Sequence, residues 1–325
     1  MVGMRDSEIR LEAETALRRL RGHIRETPLE YSPFLSESTG AEVYLKLECQ
    51  QITGSFKLRG AANKILSLAE RAVPPSGVVT ASSGNHAAAV AHALTGTGIG
   101  GVIYLPETVA KAKHEALKAY DVELRLVGQD SVVGELEAQK AAVAEGLVYV
   151  SPYSDAQVIG GQGTVALEIE KELPGVDAVL VPVGGGGLIS GIGGALKARK
   201  PDVQIVGCQP ERSHVMAASV REGRILELTS EPTLADGTAG GVDPEAITFP
   251  ICARVVDSFS LVDEDDIARA MRWTIEKHYL LVEGAAALSI AALTKDPVPY
   301  AGKKVVLVVS GKKVSPETLS AVLDA

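Results

Sequence analysis

The 325-residue chain is poor in aromatic side chains, at 4%, and carries only three cysteines. Cys49, Cys208 and Cys252 are widely spaced, odd in number and form no Cys-x-x-Cys pair. That pattern argues against a disulfide framework or a thiolate metal site and leaves each thiol as a small packed hydrophobe. Basic excess is missing as well: the formal net charge is −9, without the electrostatic footprint of a nucleic-acid binder. No apolar leader opens the chain, whose first residues include Arg5, Asp6, Glu8 and Arg10, so cytoplasmic residence is the expectation. Two uncharged stretches, between Arg71 and Glu107 and over 178–196, are broken by Gly, Ser and Asn. Each splits into a short strand-like run and a helical run, which fits buried α/β layers and not a membrane span. No histidine pair has the spacing of a His-Glu-x-x-His site, no linker or repeat interrupts the chain, and no metal is expected.

What is present is alternation. Ile9, Ala13, Ala16, Leu17, Leu20 and Ile24 recur at helical spacing and predict an entry helix that ends before Thr27-Pro28. Strands are predicted over 43–47, 77–80, 102–105, 122–127 and 147–150. Helices over 58–69, 85–94, 108–120 and 131–144 lie between and after them. A second series runs helix 158–171, strand 178–183, helix 188–197 and strand 204–208. After a loop-rich region follow strand 253–261, helices 264–278 and 283–293, strand 304–309 and helix 316–323. Such alternation implies an α/β fold of open, twisted parallel sheets covered by helices. The runs over 178–183 and 305–309 are almost wholly apolar, as in strands buried on both faces.

Three junctions in this pattern carry polar or glycine-rich residues. Lys57 stands at a strand-to-helix junction within Thr53-Gly54-Ser55-Phe56-Lys57-Leu58-Arg59-Gly60-Ala61. It reads either as a solvated lysine in a first helical turn or as a desolvated amine able to form Schiff bases, because a cation is not favoured at a helix N-terminus. Gly184-Gly185-Gly186-Gly187-Leu188 follows an apolar strand and opens a helix. It is either a tight turn or an anion cradle, in which bare backbone N–H groups and the helix dipole meet a phosphate. It is not a Walker A loop, since no Gly-Lys-Ser/Thr follows. Ser82-Ser83-Gly84-Asn85-His86 is either a helix cap or a row of donors facing a cleft. The dinucleotide-like spacings Gly96-x-Gly98-x-x-Gly101 and Gly161-x-Gly163-x-x-Ala166 lack the strand-turn-helix context that gives them meaning.

Taken in order, these motifs with Thr27-Pro28-Leu29, Gly161-Gln162-Gly163-Thr164, Ala235-Asp236-Gly237, Val282-Glu283-Gly284 and Ser310-Gly311 resemble one family over nearly the whole chain. It is the serine/threonine dehydratase and serine racemase family of pyridoxal 5'-phosphate enzymes, of the tryptophan-synthase-β-like fold type II. The resemblance implies a large cofactor-binding domain of residues 1–52 and 154–325 and a small mobile domain of residues 53–153. It implies that Lys57, flanked by Phe56, holds the cofactor and acts as catalytic base, and that Gly184 to Leu188 bind its phosphate. Ser82 to His86 would bind the substrate carboxylate, with Asn85 reaching the phenolic oxygen and Ser83 as a second proton carrier. By the same resemblance Glu283 would lie near the cofactor ring and Ser310 would meet the pyridine nitrogen, where a neutral hydroxyl makes a weaker electron sink than a carboxylate would.

The implied activity is a lyase reaction: dehydration of a β-hydroxy-α-amino acid, L-threonine or L-serine, to a 2-oxo acid and ammonia. Serine racemisation, or dehydration of 3-hydroxyaspartate or a hydroxyectoine-derived compound, is the alternative within catalysis, and a non-catalytic pyridoxal phosphate binder the alternative outside it. A homo-oligomer, dimer or tetramer, is expected, with an amino acid as the small-molecule partner. Several positions depart from the family pattern. Ser310-Gly311-Lys312-Lys313 stands where Ser-Gly-Gly-Asn is usual, so two cations either meet an extra substrate carboxylate or face solvent. Ser131-Val132-Val133-Gly134 lacks the arginine of animal-type racemases. Ala217 stands where cation-binding members have an acid six residues after the equivalent of Glu211. No regulatory domain is expected after Ser310.

Overall fold

The computed structural model describes residues 3–109, 111–128 and 131–324. Helix α1 (Asp6–Arg19) leads to strand β1 (Leu29–Tyr31), α2 (Pro33–Thr39), β2 (Glu42–Lys46) and α3 (Lys57–Ala69). Then come β3 (Gly77–Ala81), α4 (Asn85–Leu94), β4 (Gly100–Leu105), α5 (Lys111–Leu117), β5 (Glu123–Leu126), α6 (Ser131–Glu145) and β6 (Val148–Tyr149). The chain continues with α7 (Ala156–Glu172), β7 (Ala178–Pro182), α8 (Gly187–Lys197), β8 (Gln204–Pro210), α9 (Val215–Glu222) and α10 (Thr248–Val255). It ends with β9 (Ser258–Val262), α11 (Glu264–His278), α12 (Gly284–Lys295), β10 (Lys304–Val308) and α13 (Pro316–Asp324).

The strands form two sheets, of six in the order β1-β2-β10-β7-β8-β9 and of four in the order β5-β4-β3-β6. Every pairing is parallel except β1 with β2, so the expected parallel architecture holds apart from one short antiparallel edge strand. The six-stranded sheet is buried on both faces, as its apolar strands require. Ala178, Leu180, Val305 and Leu307 pack towards α11 and α12, while Val179, Val181, Val306 and Val308 pack towards α7 and α8. In the smaller sheet Val78 packs with α3 and α4, and Val79 and Ala81 with Ala138 of α6. No helix among the described residues is long and apolar enough to cross a membrane.

The element pattern differs from the sequence expectation where short-range signals conflict. The strand expected over 253–261 is the last turn of α10 followed by β9. Ile251, Cys252 and Val255 have helical spacing and all are buried, and Pro250 is tolerated because it lies in the first turn. β1, α2, α9 and α10 were not anticipated. Yet α2 carries its own signals, the Ser32 hydroxyl accepting from Leu35 N–H, Pro33 at the first position and Gly40 at φ 71° after the end. The entry helix stops at Arg19 and not near Ile24. The helix expected over 108–120 is seen over Lys111–Leu117, with Ala110 outside the described residues.

Helix α3 is held by a buried group of charges. Arg59, with no exposed surface, donates to both carboxylate oxygens of Glu48 (2.7 and 2.8 Å) and of Glu168 (2.6 and 2.8 Å). Lys46, equally buried, pairs with Glu168 at 2.7 Å and donates to the Thr27 carbonyl at 2.6 Å. Burial works against the Arg59 cation, and Glu48 and Glu168 more than offset it, so its pKa rises. Burial alone would raise the Glu168 carboxyl, but Arg59 and Lys46 draw it below its usual range. The group joins α3 to α7 and β2, placing the first turn of α3. Arg59→Met leaves the buried Glu48 carboxylate without a cation and Glu168 with Lys46 alone, and is expected to cost about 3–5 kcal/mol in urea unfolding. Arg59→Lys recovers only part of this, because one ammonium cannot serve two carboxylates bidentately.

Candidate active site

Three loops that follow the C-terminal ends of β3, β7 and β10 converge with the start of α3, where open parallel sheets place ligands. At the end of β7 the chain passes through Gly184-Gly185-Gly186-Gly187, with Gly186 at φ 85°, and enters α8. Packing beneath the turn also demands glycine. A Cβ at Gly185 would lie 2.4 Å from the Tyr153 ring, one at Gly186 2.7 Å from the Cys252 sulfur, and one at Gly187 2.9 Å from the Tyr153 backbone. The first N–H groups of α8 have no helical partner and point out of its positive end, the geometry that receives a phosphate.

Lys57 is the first residue of α3, and its Nζ donates to the Pro152 carbonyl at 2.9 Å and stands 5.2 Å from the Phe56 ring centre. The residue keeps some exposed surface, but the amine is enclosed, and desolvation brings its pKa down to about 8 against the opposing pull of Glu135 and Glu283. Pro152 precedes Tyr153, so adjacent residues touch the amine and the glycine turn.

Ser82 to His86 lead from β3 into α4, and Ser82 Oγ accepts from Gly84 N–H at 3.2 Å. Asn85 Nδ2 donates to both oxygens of Glu283 at 3.0 Å, while its Oδ1 is buried without a partner. His86 Nε2 lies 3.1 Å from the Val150 carbonyl, which can only accept, so this nitrogen carries the proton. Burial, then the Lys57 charge, lowers the His86 pKa to about 3. Its Nε2 is turned to Val150, while Nδ1 is buried without a partner.

The end of β10 is stitched to both neighbouring segments. Phe56 N–H donates to the Ser310 carbonyl (3.0 Å), Lys312 N–H to the Gly54 carbonyl (3.1 Å) and Glu283 N–H to the Gly311 carbonyl (3.2 Å). Glu283, 5% exposed, also accepts from Lys313 N–H at 3.1 Å. Burial pushes its pKa up to about 7, with the Asn85 hydrogen bond opposing and Asp236 assisting. Ser310 is buried at the strand end. Lys312 and Lys313 are exposed by surface, but the Lys313 ammonium is drawn below its usual pKa by burial, with Glu283 and Lys113 acting on it in opposite senses.

The arrangement thus brings together Phe56, Lys57, Asn85, Glu283 and Ser310, with Gly184 to Leu188 tied in through the 152–153 segment. Sequence reading missed Pro152, Tyr153, Arg59, Glu48, Glu168 and the acids Glu135 and Asp243 at the cleft. Arg59 lay inside a quoted motif, whereas Tyr153 has no local signal. An enclosed amine, a glycine turn opening a helix and the buried, unpartnered Asn85 Oδ1 fit a phosphorylated aldehyde cofactor. No group of His, Cys, Asp and Glu suited to a metal ion is found among the described residues.

Comparison with known proteins gives the same direction. The profile of a family described as pyridoxal-phosphate dependent enzymes matches residues 20–311. An L-threonine ammonia-lyase of Thermotoga maritima is 39% identical over 96% of this chain and 77% of its own. A catabolic L-threonine dehydratase of Staphylococcus aureus is 40% identical over 96% of this chain and 91% of its own. Among solved structures, maize serine racemase is 32% identical with a TM-score of 0.89, over 97% of this chain and 96% of that one. A threonine deaminase isoform of Solanum lycopersicum is 31% identical with a TM-score of 0.88, over 96% and 93%.

Glu283 makes the stability of the fold pH-dependent with a definite sign. Its folded pKa of about 7 stands above the ordinary 4.5, so the folded state holds the extra proton, and the resulting stabilisation is full at acid pH and lost as pH rises through 7. Between pH 5 and 8 the wild type is expected to lose about 2–3 kcal/mol relative to Glu283→Gln, read as the difference in urea unfolding at the two pH values.

Proposed function

Because this chain belongs to the family of pyridoxal-phosphate-dependent enzymes, we propose that it is an ammonia-lyase that dehydrates L-threonine or L-serine to a 2-oxo acid and ammonia. The observation that carries this reading is the Lys57 amine, enclosed, lowered to a pKa of about 8 and tied to the Pro152 carbonyl beside the residue that underlies the glycine turn. At neutral pH roughly one amine in ten is free to act as nucleophile or base. The cofactor supplies the electron sink that makes loss of the Cα proton accessible. Lys57 would hold it until the substrate amine takes its place, and the freed Nζ would then take that proton. The backbone N–H groups from Gly184 to Leu188 would hold its phosphate, the loop of Ser82 to His86 would orient the substrate carboxylate, and Ser310 would meet the ring nitrogen. Asn85 and Glu283 form one hydrogen-bonded unit beside the ring. Loss of the β-hydroxyl leaves an enamine that hydrolyses to the 2-oxo acid and ammonia.

Residues 53–153 form the small domain in this reading, closing over the substrate with the four-stranded sheet. The relatives' activities support an amino acid as substrate, and the reading includes a cytoplasmic homo-oligomer. Racemisation is the second reading. The likeness to maize serine racemase and the placement of Ser83 in the loop before α4 favour it.

Purified protein supplied with pyridoxal phosphate is expected to form 2-oxo acid from threonine or serine, and Lys57→Ala to lose this by roughly a thousandfold or more together with the cofactor's visible absorbance. Ammonia release at wild-type rates by the alanine variant would end the proposal. Chiral analysis of recovered serine, with D-serine accumulating faster than pyruvate, would replace dehydration with racemisation.

A further inference from the structure

We propose that Tyr153 is a positioning residue that holds the glycine turn in its phosphate-receiving shape, an inference that rests on the reading of that turn given above. Four consecutive glycines form the least constrained backbone a chain can offer, so their N–H groups are aimed at an anion only if something fixes them. The space that Cβ atoms would take at Gly185 and Gly187 is filled by Tyr153, its ring at the first and its backbone at the second. The ring is itself fixed at its far end, where the phenol oxygen accepts the Asp243 N–H at 3.0 Å. Ser154 Oγ accepts the Ile247 N–H at 3.0 Å, and Thr248 Oγ1 donates to the Gly185 carbonyl at 2.7 Å. The segment over 243–248 thereby clamps the same turn from the other side. Pro152, one residue earlier, receives the Lys57 amine. Two successive residues, whose Cα atoms are about 3.8 Å apart across a trans peptide, therefore set the distance between amine and phosphate site.

Tyr153 stands one residue beyond the carbonyl that receives the Lys57 amine. Its removal is expected to act on the phosphate end alone. The test compares equilibrium binding of pyridoxal phosphate with that of pyridoxal, which shares the aldehyde and ring but has no phosphate, on the full chain freed of cofactor. In Tyr153→Ala the dissociation constant for pyridoxal phosphate rises about tenfold or more while that for pyridoxal stays within about twofold, so the ratio between them collapses. Tyr153→Phe, which keeps the ring, retains the ratio. An alanine variant that retains the wild-type ratio overturns the proposal. A wild type that binds both compounds equally overturns it together with the reading of the turn as a phosphate site, which separates the two failures. Should Tyr153→Ala lose its native far-ultraviolet circular dichroism, Gly185→Ala carries the test, since its methyl must displace the ring. It collapses the ratio, and adding Tyr153→Leu returns part of it. No return with the paired variant overturns the proposal.

Discussion

The buried charges around Arg59 are the constraint from which the site follows. Two cations, Arg59 and Lys46, and two carboxylates, Glu48 and Glu168, are withdrawn from water together, and each hydrogen-bonds or pairs within the set. Removing such charges from solvent is costly, and their mutual attraction offsets that cost only in near-ideal geometry. The arrangement therefore specifies position more than it adds stability. It locks the first turn of α3 against α7 and β2, two residues beyond Lys57. The depressed pKa of the Lys57 amine is a product of enclosure, and enclosure requires that this turn cannot swing outward.

The site is also assembled from both sheets. Asn85 begins a helix that follows a strand of the four-stranded sheet, and Glu283 begins one that packs on the six-stranded sheet, yet their side chains are bonded. The end of β10 runs between Gly54, Phe56 and Glu283 and ties them by main-chain bonds that do not depend on side-chain identity. This accounts for a polar centre that tolerates Lys312 and Lys313 in place of smaller residues. Their backbones complete the stitching whatever their side chains do.

Much of this was legible in the sequence, and the reasons differ from element to element. Strands such as β7 and β10 announce themselves because both faces are buried and the run is apolar throughout. The loops after β3 and β7 were visible as dense polar or glycine clusters at strand ends. The α10–β9 junction was not, because Val255 and Val256 have high strand propensity and only tertiary packing of Ile251 and Cys252 decides for helix. Arg59 reads as an ordinary cation until its partners, 11 and 109 positions away, are brought to it by the fold. Tyr153 is invisible for the same reason: the glycines it supports lie some thirty residues downstream. The four-glycine run suggested bare backbone for an anion. The structure adds that the same glycines are required by what lies beneath them.

Cys252 lies directly below that turn, its sulfur filling the space beside Gly186 and 3.5 Å from the Ser190 hydroxyl. Burial pushes its thiol up to about 12, so it is neither ionised nor reachable while the turn is seated. An alkylating reagent can find this sulfur only when the packing between α10 and the turn opens. The thiol is thus a chemical stopwatch for opening beneath the glycine turn, one that runs slower the more firmly that turn is packed.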